Sequence, residues 1–136
     1  MQLLEVLLDS DVMIDILRDY SPAVEWLKAL RDQKAKICLP GFAVMELIQG
    51  CENKEQIKEV REDVQDFRVL WPTESTCSKA LEAYARYSLS HGLDILDAMI
   101  GQMAEDLMMP LHTFNTKHFR GAFKVDPVQP YKRDYH

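Results

Sequence analysis

The feature that most limits what this chain can fold into is an alternation repeated along its length. Short apolar runs of strand length are each cut off by polar or proline residues, and segments with helical periodicity lie between them. Leu3-Leu4-Glu5-Val6-Leu7-Leu8 stops at Asp9-Ser10-Asp11, and Lys36-Ile37-Cys38-Leu39 stops at Pro40-Gly41. Phe67-Arg68-Val69-Leu70-Trp71 stops at Pro72, Leu111-His112-Thr113-Phe114 stops at Asn115, and Lys124-Val125 is a fifth, weaker strand candidate. Between these runs, Val12, Ile14, Ile16 and Leu17 follow a cap at Ser10 or Asp11, and Val24, Leu27 and Leu30 follow the helix start Ser21-Pro22. Phe42 to Gly50 reads as a helix closed by glycine, and the charged stretch from Asn53 to Asp66 keeps Ile57, Val60 and Val64 on one narrow face. A helix from Thr73 or Glu74 to about Ser90 has Leu81, Tyr84, Ala85 and Leu89 inward and breaks at His91-Gly92. Leu96, Met99, Ile100, Met103 and Leu107 line the next, from Asp94 to Leu107. The alternation predicts an α/β fold, a three-layer α/β/α sandwich around a short, mainly parallel sheet. All strands of such a sheet end on one edge, so acids distant in sequence can meet there.

At 136 residues with 47% hydrophobic content, the chain fits one well-covered core, and residues 1–136 are expected to form a single domain. The net charge of −6 argues against a protein that coats nucleic acid by bulk electrostatics. It leaves a nuclease open, because carboxylates that hold a divalent cation are neutralised in the working site. Cys38, Cys51 and Cys77 are an odd number without Cys-x-x-Cys spacing, which suggests neither a disulfide framework nor a zinc site. Glu5 within the first apolar run, the lack of a basic leader and the lack of a span-length apolar stretch point to a protein of the reducing cytoplasm with no membrane role.

Four positions stand out as candidate chemistry: Asp9 after the first strand, Glu46 within an apolar helix, Asp97 in the first turn of the Asp94 helix, and Asn115 after the fourth strand. Hard Mg²⁺ or Mn²⁺ ions need oxygen donors from several directions, and carboxylates joined by a neutral amide supply them. Without a cation such a cluster repels itself. Each residue also has a bland reading. Asp9 and Asn115 are ordinary strand-end residues, and Glu46 fits the solvent edge of an amphipathic helix. Asp94-x-x-Asp97 has the spacing of an N-cap with an acid at N3, the favoured role for Asp94. Cys51 reads as a boundary residue, His91 as a helix-end residue facing free carbonyls, and Tyr84 and Tyr87 as core or subunit interface. His112 and His118 lack a His-x₃-His metal spacing.

Four blocks carry a resemblance: Leu8-Asp9-Ser10-Asp11-Val12-Met13-Ile14-Asp15; Val44-Met45-Glu46-Leu47 with Gly50; Leu96-Asp97-Ala98-Met99-Ile100-Gly101; and Leu111 through Phe119. In order and spacing they resemble PIN-domain ribonucleases, most closely the VapC-type toxins of toxin–antitoxin pairs. The resemblance implies Asp9, Glu46 and Asp97 as the acidic metal site for Mg²⁺, with Mn²⁺ as a substitute, and Asn115 where the family has Asp or Asn. Ser10 matches a hydroxyl position of the family beside the first acid, whereas Asp11 stands where the family often has Asn or Ser; Ser10, Asp11 and Thr113 are expected to support the acids from behind, and the resemblance selects RNA as the substrate. Arg18, Lys117, His118 and Arg120 neighbour the ligand blocks and are the candidates for holding the RNA backbone. A cognate antitoxin protein and a homodimer are further implied partners.

Two other classes fit parts of the chain. Asp9-Ser10-Asp11-Val12 matches the Asp-x-Asp opening of haloacid-dehalogenase-like phosphatases, although a cap domain has little room in this length. A catalytically inactive module that binds a partner would make the acids dispensable.

Overall fold

The computed structural model describes residues 4–135, and Leu3 of the first expected strand lies outside them. Strand β1 (Glu5–Leu8) leads into α1 (Ser10–Leu17) and α2 (Ser21–Asp32), and β2 (Lys36–Pro40) into α3 (Gly41–Gln49) and α4 (Lys54–Asp63). A single 3₁₀ turn, Val64–Asp66, precedes β3 (Arg68–Leu70). The long pair α5 (Glu74–His91) and α6 (Ile95–Leu107) then leads to β4 (Leu111–His112), α7 (Thr116–Phe119) and β5 (Pro127–Val128).

The strands pair in the order β3-β2-β1-β4-β5, and every pairing is parallel. Strand alternation divides the core into two layers. Leu7, Cys38 and Leu111 face the layer that holds Ala98, Ile100, Met103 and Phe119. Val6, Leu8, Ile37 and Leu39 face Val12, Met13, Leu27, Leu30 and Leu47 on the other side. Leu7 and Leu8 are both completely inaccessible, as strands covered on both faces by helices should be. This is the α/β/α sandwich expected from the alternation of elements.

Element ends depart from the sequence expectations in instructive ways. Asp9 itself caps α1, its carboxylate accepting the Ser10 amide, where Ser10 or Asp11 was expected. Strand β4 ends at His112 rather than Phe114: the Thr113 amide still bonds the Val128 carbonyl, but the Phe114 amide turns to the Asp11 carboxylate. The fifth strand is Pro127–Val128, two residues beyond Lys124-Val125, and α7 has too short an apolar pattern to show in sequence. Gly92, with φ of 65°, closes α5 in the left-handed region that glycine enters without steric cost. Gly101 lets α6 meet the Phe123 ring, since a Cβ there would lie 2.2 Å from it.

Strand order reverses direction at β1. The chain moves outward from β1 to β2 and β3, then crosses back to add β4 and β5 on the other side. The carboxyl ends of β1 and β4 therefore flank the crevice where open parallel sheets place their ligands.

Candidate active site

Asp9 leaves β1 at this crevice and is 4% exposed. Its Oδ1 accepts the Ser10 amide at 2.8 Å, and its Oδ2 accepts the Thr113 hydroxyl at 2.8 Å from the end of β4. Thr113, fully buried, in turn accepts the Asn115 amide at 3.0 Å. Two chain segments more than a hundred residues apart are thus joined through one hydroxyl. Asp11 makes the parallel link, its Oδ2 accepting the Phe114 amide at 2.9 Å and lying 3.5 Å from the Asn115 side-chain nitrogen.

Glu46 approaches from α3, half-buried, with its Oε1 accepting the Ser10 hydroxyl at 3.3 Å. Asp97 arrives on the first turn of α6. Asp94 and Asp97 form a reciprocal capping box, in which the Asp94 carboxylate takes the Asp97 amide at 2.8 Å and Asp97 takes the Asp94 amide at 3.3 Å. Asp97 therefore caps its helix and faces the other acids with the same side chain.

The electrostatics are those of a self-repelling group. Burial, then the Asp94 charge and Asp9, push Asp97 up to about 6. Burial followed by the Asp9 charge pushes Glu46 up to about 6 and Asp11 up to about 7. Asp9 is raised too, chiefly by burial, against the lowering effect of its Thr113 and Ser10 hydrogen bonds. The acids feel one another without closing on a point: among the described residues, no three His, Cys, Asp or Glu side chains form a ready-made coordination cage.

The donor set fits a hard divalent cation. It is made of oxygens, several of them buried, with mutual repulsion that a cation would relieve. One buried oxygen, Asp11 Oδ1, has no hydrogen-bond partner.

The remaining sequence candidates spread around this centre. His118 Nδ1 lies 3.2 Å from Asp97 Oδ2, at ion-pair distance but without hydrogen-bond alignment. Lys117, Arg120 and Asn115 are exposed on and beside α7. Arg18 is exposed at the far end of α1, on a groove of about 400 Å³ that reaches Glu46 between α1, α3 and α4. Burial lowers the His112 pKa to about 4, and its ring packs against Trp26. His91 bonds to the Ser90 hydroxyl through its own Nδ1.

A third buried acid received no role from the sequence. Asp15, 1% exposed, is bound by the Tyr131 hydroxyl at 2.7 Å, by Arg133 Nε at 2.9 Å and by the Tyr135 hydroxyl. Its sequence signal is weaker than that of Glu46, because it shares its helix with Asp11 whereas Glu46 is the one ionisable residue of α3. The partners, more than a hundred residues away, carried no such signal.

Residues 6–124 match the family model described as PIN domain. Ribonuclease VapC10 of Mycobacterium tuberculosis is 32% identical over 115 residues, covering 84% of this chain and 85% of that protein. In fold, the chain is similar to a toxin–antitoxin complex from Klebsiella pneumoniae, with a TM-score of 0.74 and 22% identity over 94% of this chain and 99% of that one. It is similar also to FitAcB from Neisseria gonorrhoeae, with a TM-score of 0.70 and 23% identity over 92% and 97% of the two chains. A match that takes in all four sequence blocks, from β1 to beyond α7, leaves a plain conclusion: the chain belongs to the PIN-domain family, among its VapC-type members.

Proposed function

We propose that this protein is a metal-dependent endoribonuclease toxin of a toxin–antitoxin pair, in which Asp9, Glu46 and Asp97 hold Mg²⁺, or Mn²⁺ in its place, with Asn115 beside them. The observation that carries this reading is the gathering of like-charged, partly desolvated acids at the sheet's switch point in a PIN-domain chain. The ribonuclease name of the Mycobacterium relative and the toxin–antitoxin complexes among the structural neighbours support it.

When bound, the cation would supply a more acidic water and offset the charge that grows on a phosphodiester under attack. The chain's own residues do the rest. Thr113 and the Ser10 amide fix both oxygens of Asp9, Ser10 orients Glu46, and the capping box sets the angle of Asp97. Asp11 ties the β4 exit to the head of α1. Arg18, Lys117, His118 and Arg120 would bind RNA phosphates, which orients the strand without reading its sequence.

The protein would act in the cytoplasm as one domain and as a homodimer, restrained by its antitoxin. Among the described residues no helix is long and apolar enough to cross a membrane. Leu81 and Leu89, expected to face inward, are exposed, and Leu81 lines an apolar hollow with Tyr84, Ile95 and Met99 on α5 and α6 that would suit a second copy.

Sequencing RNA ends after brief expression tests the proposal. The wild-type chain should create new ends at a restricted set of sites, and Asp97→Asn should create none. Equal growth arrest by both proteins with no new ends would favour an inactive partner-binding module. Turnover of a simple phosphomonoester without RNA cleavage would favour the phosphatase.

A further inference from the structure

The segment after β5 folds back over the head of α1 and the exit of β4. Its centre is Arg133, whose side chain is 19% exposed. Nε donates to Asp15 Oδ2 at 2.9 Å, and Nη2 donates to the Asp11 backbone carbonyl at 3.1 Å. Asp11 and Asp15 are four residues apart on α1, so the carbonyl of one and the carboxylate of the other present themselves on one side of the helix. The flat guanidinium meanwhile covers the Phe114 ring, with Cζ 3.7 Å from its centroid, and the Tyr131 ring meets Phe114 edge-on at 5.0 Å.

Arg133 thus touches both segments that carry candidate ligands. On one side it holds the backbone of the Asp9-Ser10-Asp11 turn, and on the other it clamps the residue between Thr113 and Asn115. The direct ties between these segments all come from their own residues: the Thr113 hydroxyl to Asp9 and, at 3.4 Å, to Asp11, the Phe114 amide and the Asn115 side-chain nitrogen to Asp11, and the Asp9 amide to the His112 carbonyl. A tie from outside both segments matters as well, because metal ligands tolerate only about half an ångström of displacement before affinity suffers. The far end of the segment is fastened separately, by the Tyr135 hydroxyl on Asp15 and by Asp134, which accepts the Tyr20 hydroxyl at 2.8 Å and donates its amide back at 3.0 Å.

We infer that Arg133, anchored by Asp15, is a positioning residue that sets the spacing between the Asp9 turn and the Thr113–Asn115 turn, and so tunes the affinity of the acidic site for a divalent cation. The inference rests on the metal-binding reading given above. It concerns a residue beyond all four sequence blocks and beyond the 6–124 span of the family match. Lysine could keep the charge facing Asp15, but it lacks the planar fork that reaches the Asp11 carbonyl while covering Phe114.

The test is Mn²⁺ binding by the full chain, followed by titration calorimetry or the electron paramagnetic resonance signal of free Mn²⁺, with thermal melts on each sample. Asp9→Asn defines which binding belongs to the site. Arg133→Lys should weaken that binding about tenfold, the size expected when a residue supporting metal ligands is lost, with a small change in melting temperature. Arg133→Gln should weaken it at least as much. Tyr135→Phe removes a bond of the same segment that touches neither ligand turn, and should lower the melting temperature while leaving Mn²⁺ affinity within twofold. If Arg133→Lys is folded and binds Mn²⁺ as tightly as wild type, the positioning role is wrong while the metal site stands. If Tyr135→Phe weakens binding as much as Arg133→Lys does, the segment acts through stability alone and the assignment to Arg133 fails. If wild type shows no binding that Asp9→Asn removes, the metal-site reading itself falls.

Discussion

Asp9 and Asp15 are the same residue type, stand at the head and in the body of one helix, and are almost equally inaccessible, at 4% and 1%. Their surroundings are opposite in kind. Asp15 has three hydrogen-bond donors, one of them a cation, so its charge is answered within the protein. Asp9 has a hydroxyl and an amide, but the charges of Asp94, Glu46 and Asp97 act on the same small region. Burial alone therefore says nothing about role. A buried acid with its charge met is structural, and one surrounded by its own sign has capacity left for an external cation.

The sharpest way to break this comparison is to make the same substitution at both places. Asp9→Asn should reduce RNA cleavage by about 10²-fold or more, in line with losing one charge-stabilising group from a catalytic site. It should also leave the metal-free melting temperature unchanged or slightly higher, because asparagine still caps α1 and one repelling charge is gone. Asp15→Asn should do the reverse. Removing one partner of a mostly buried ion pair costs about 3 kcal/mol, on the order of 10 °C in melting temperature. Asp9→Asn melting far below wild type, or Asp15→Asn melting with it, would erase the distinction.

A smaller effect sharpens the same contrast through pH. The site acids have raised pKa values in the folded protein, up to about 6 for Glu46 and Asp97 and about 7 for Asp11. Between about pH 4 and 7 the folded, metal-free state then binds more protons than the unfolded chain, so stability falls as pH rises through that window. Melts in a chelator should be a few degrees higher at pH 5 than at pH 7.5, with much of the difference lost in an Asp9→Asn, Asp97→Asn double variant. Mn²⁺ should stabilise more at pH 7.5 than at pH 5, since protons compete for the same oxygens. A melting temperature that climbs with pH in the chelator would mean that the acids do not repel one another as their placement requires.

The two acids also divide what could be read in advance. Asp9 was visible because it ends an apolar run, a local pattern that any parallel sheet turns into a position on the ligand edge. Glu46 and Asp97 were visible for similar reasons, as an acid amid apolar neighbours and as one end of a capping pair. Arg133 and Tyr131 carry no local pattern. They lie in a stretch without helical or strand periodicity, and their importance arises only from what they touch. The placement of β5 failed for a related reason. Two residues of strand cannot establish a period, so the choice between Lys124-Val125 and Pro127–Val128 depended on how the chain after α7 reaches β4.

By itself, the sequence determined the class of fold, the order of its strands and helices along the chain, and the small set of acids at strand ends and helix starts. Periodicity and breaker residues are local, and a parallel sheet converts them into a shared edge. Only the tertiary structure decided which acids answer to a cation within the chain and which face one another unpaired. That distinction depends on distances of a few ångströms between segments a hundred residues apart, where Coulomb energy and desolvation are settled and where sequence spacing has no bearing.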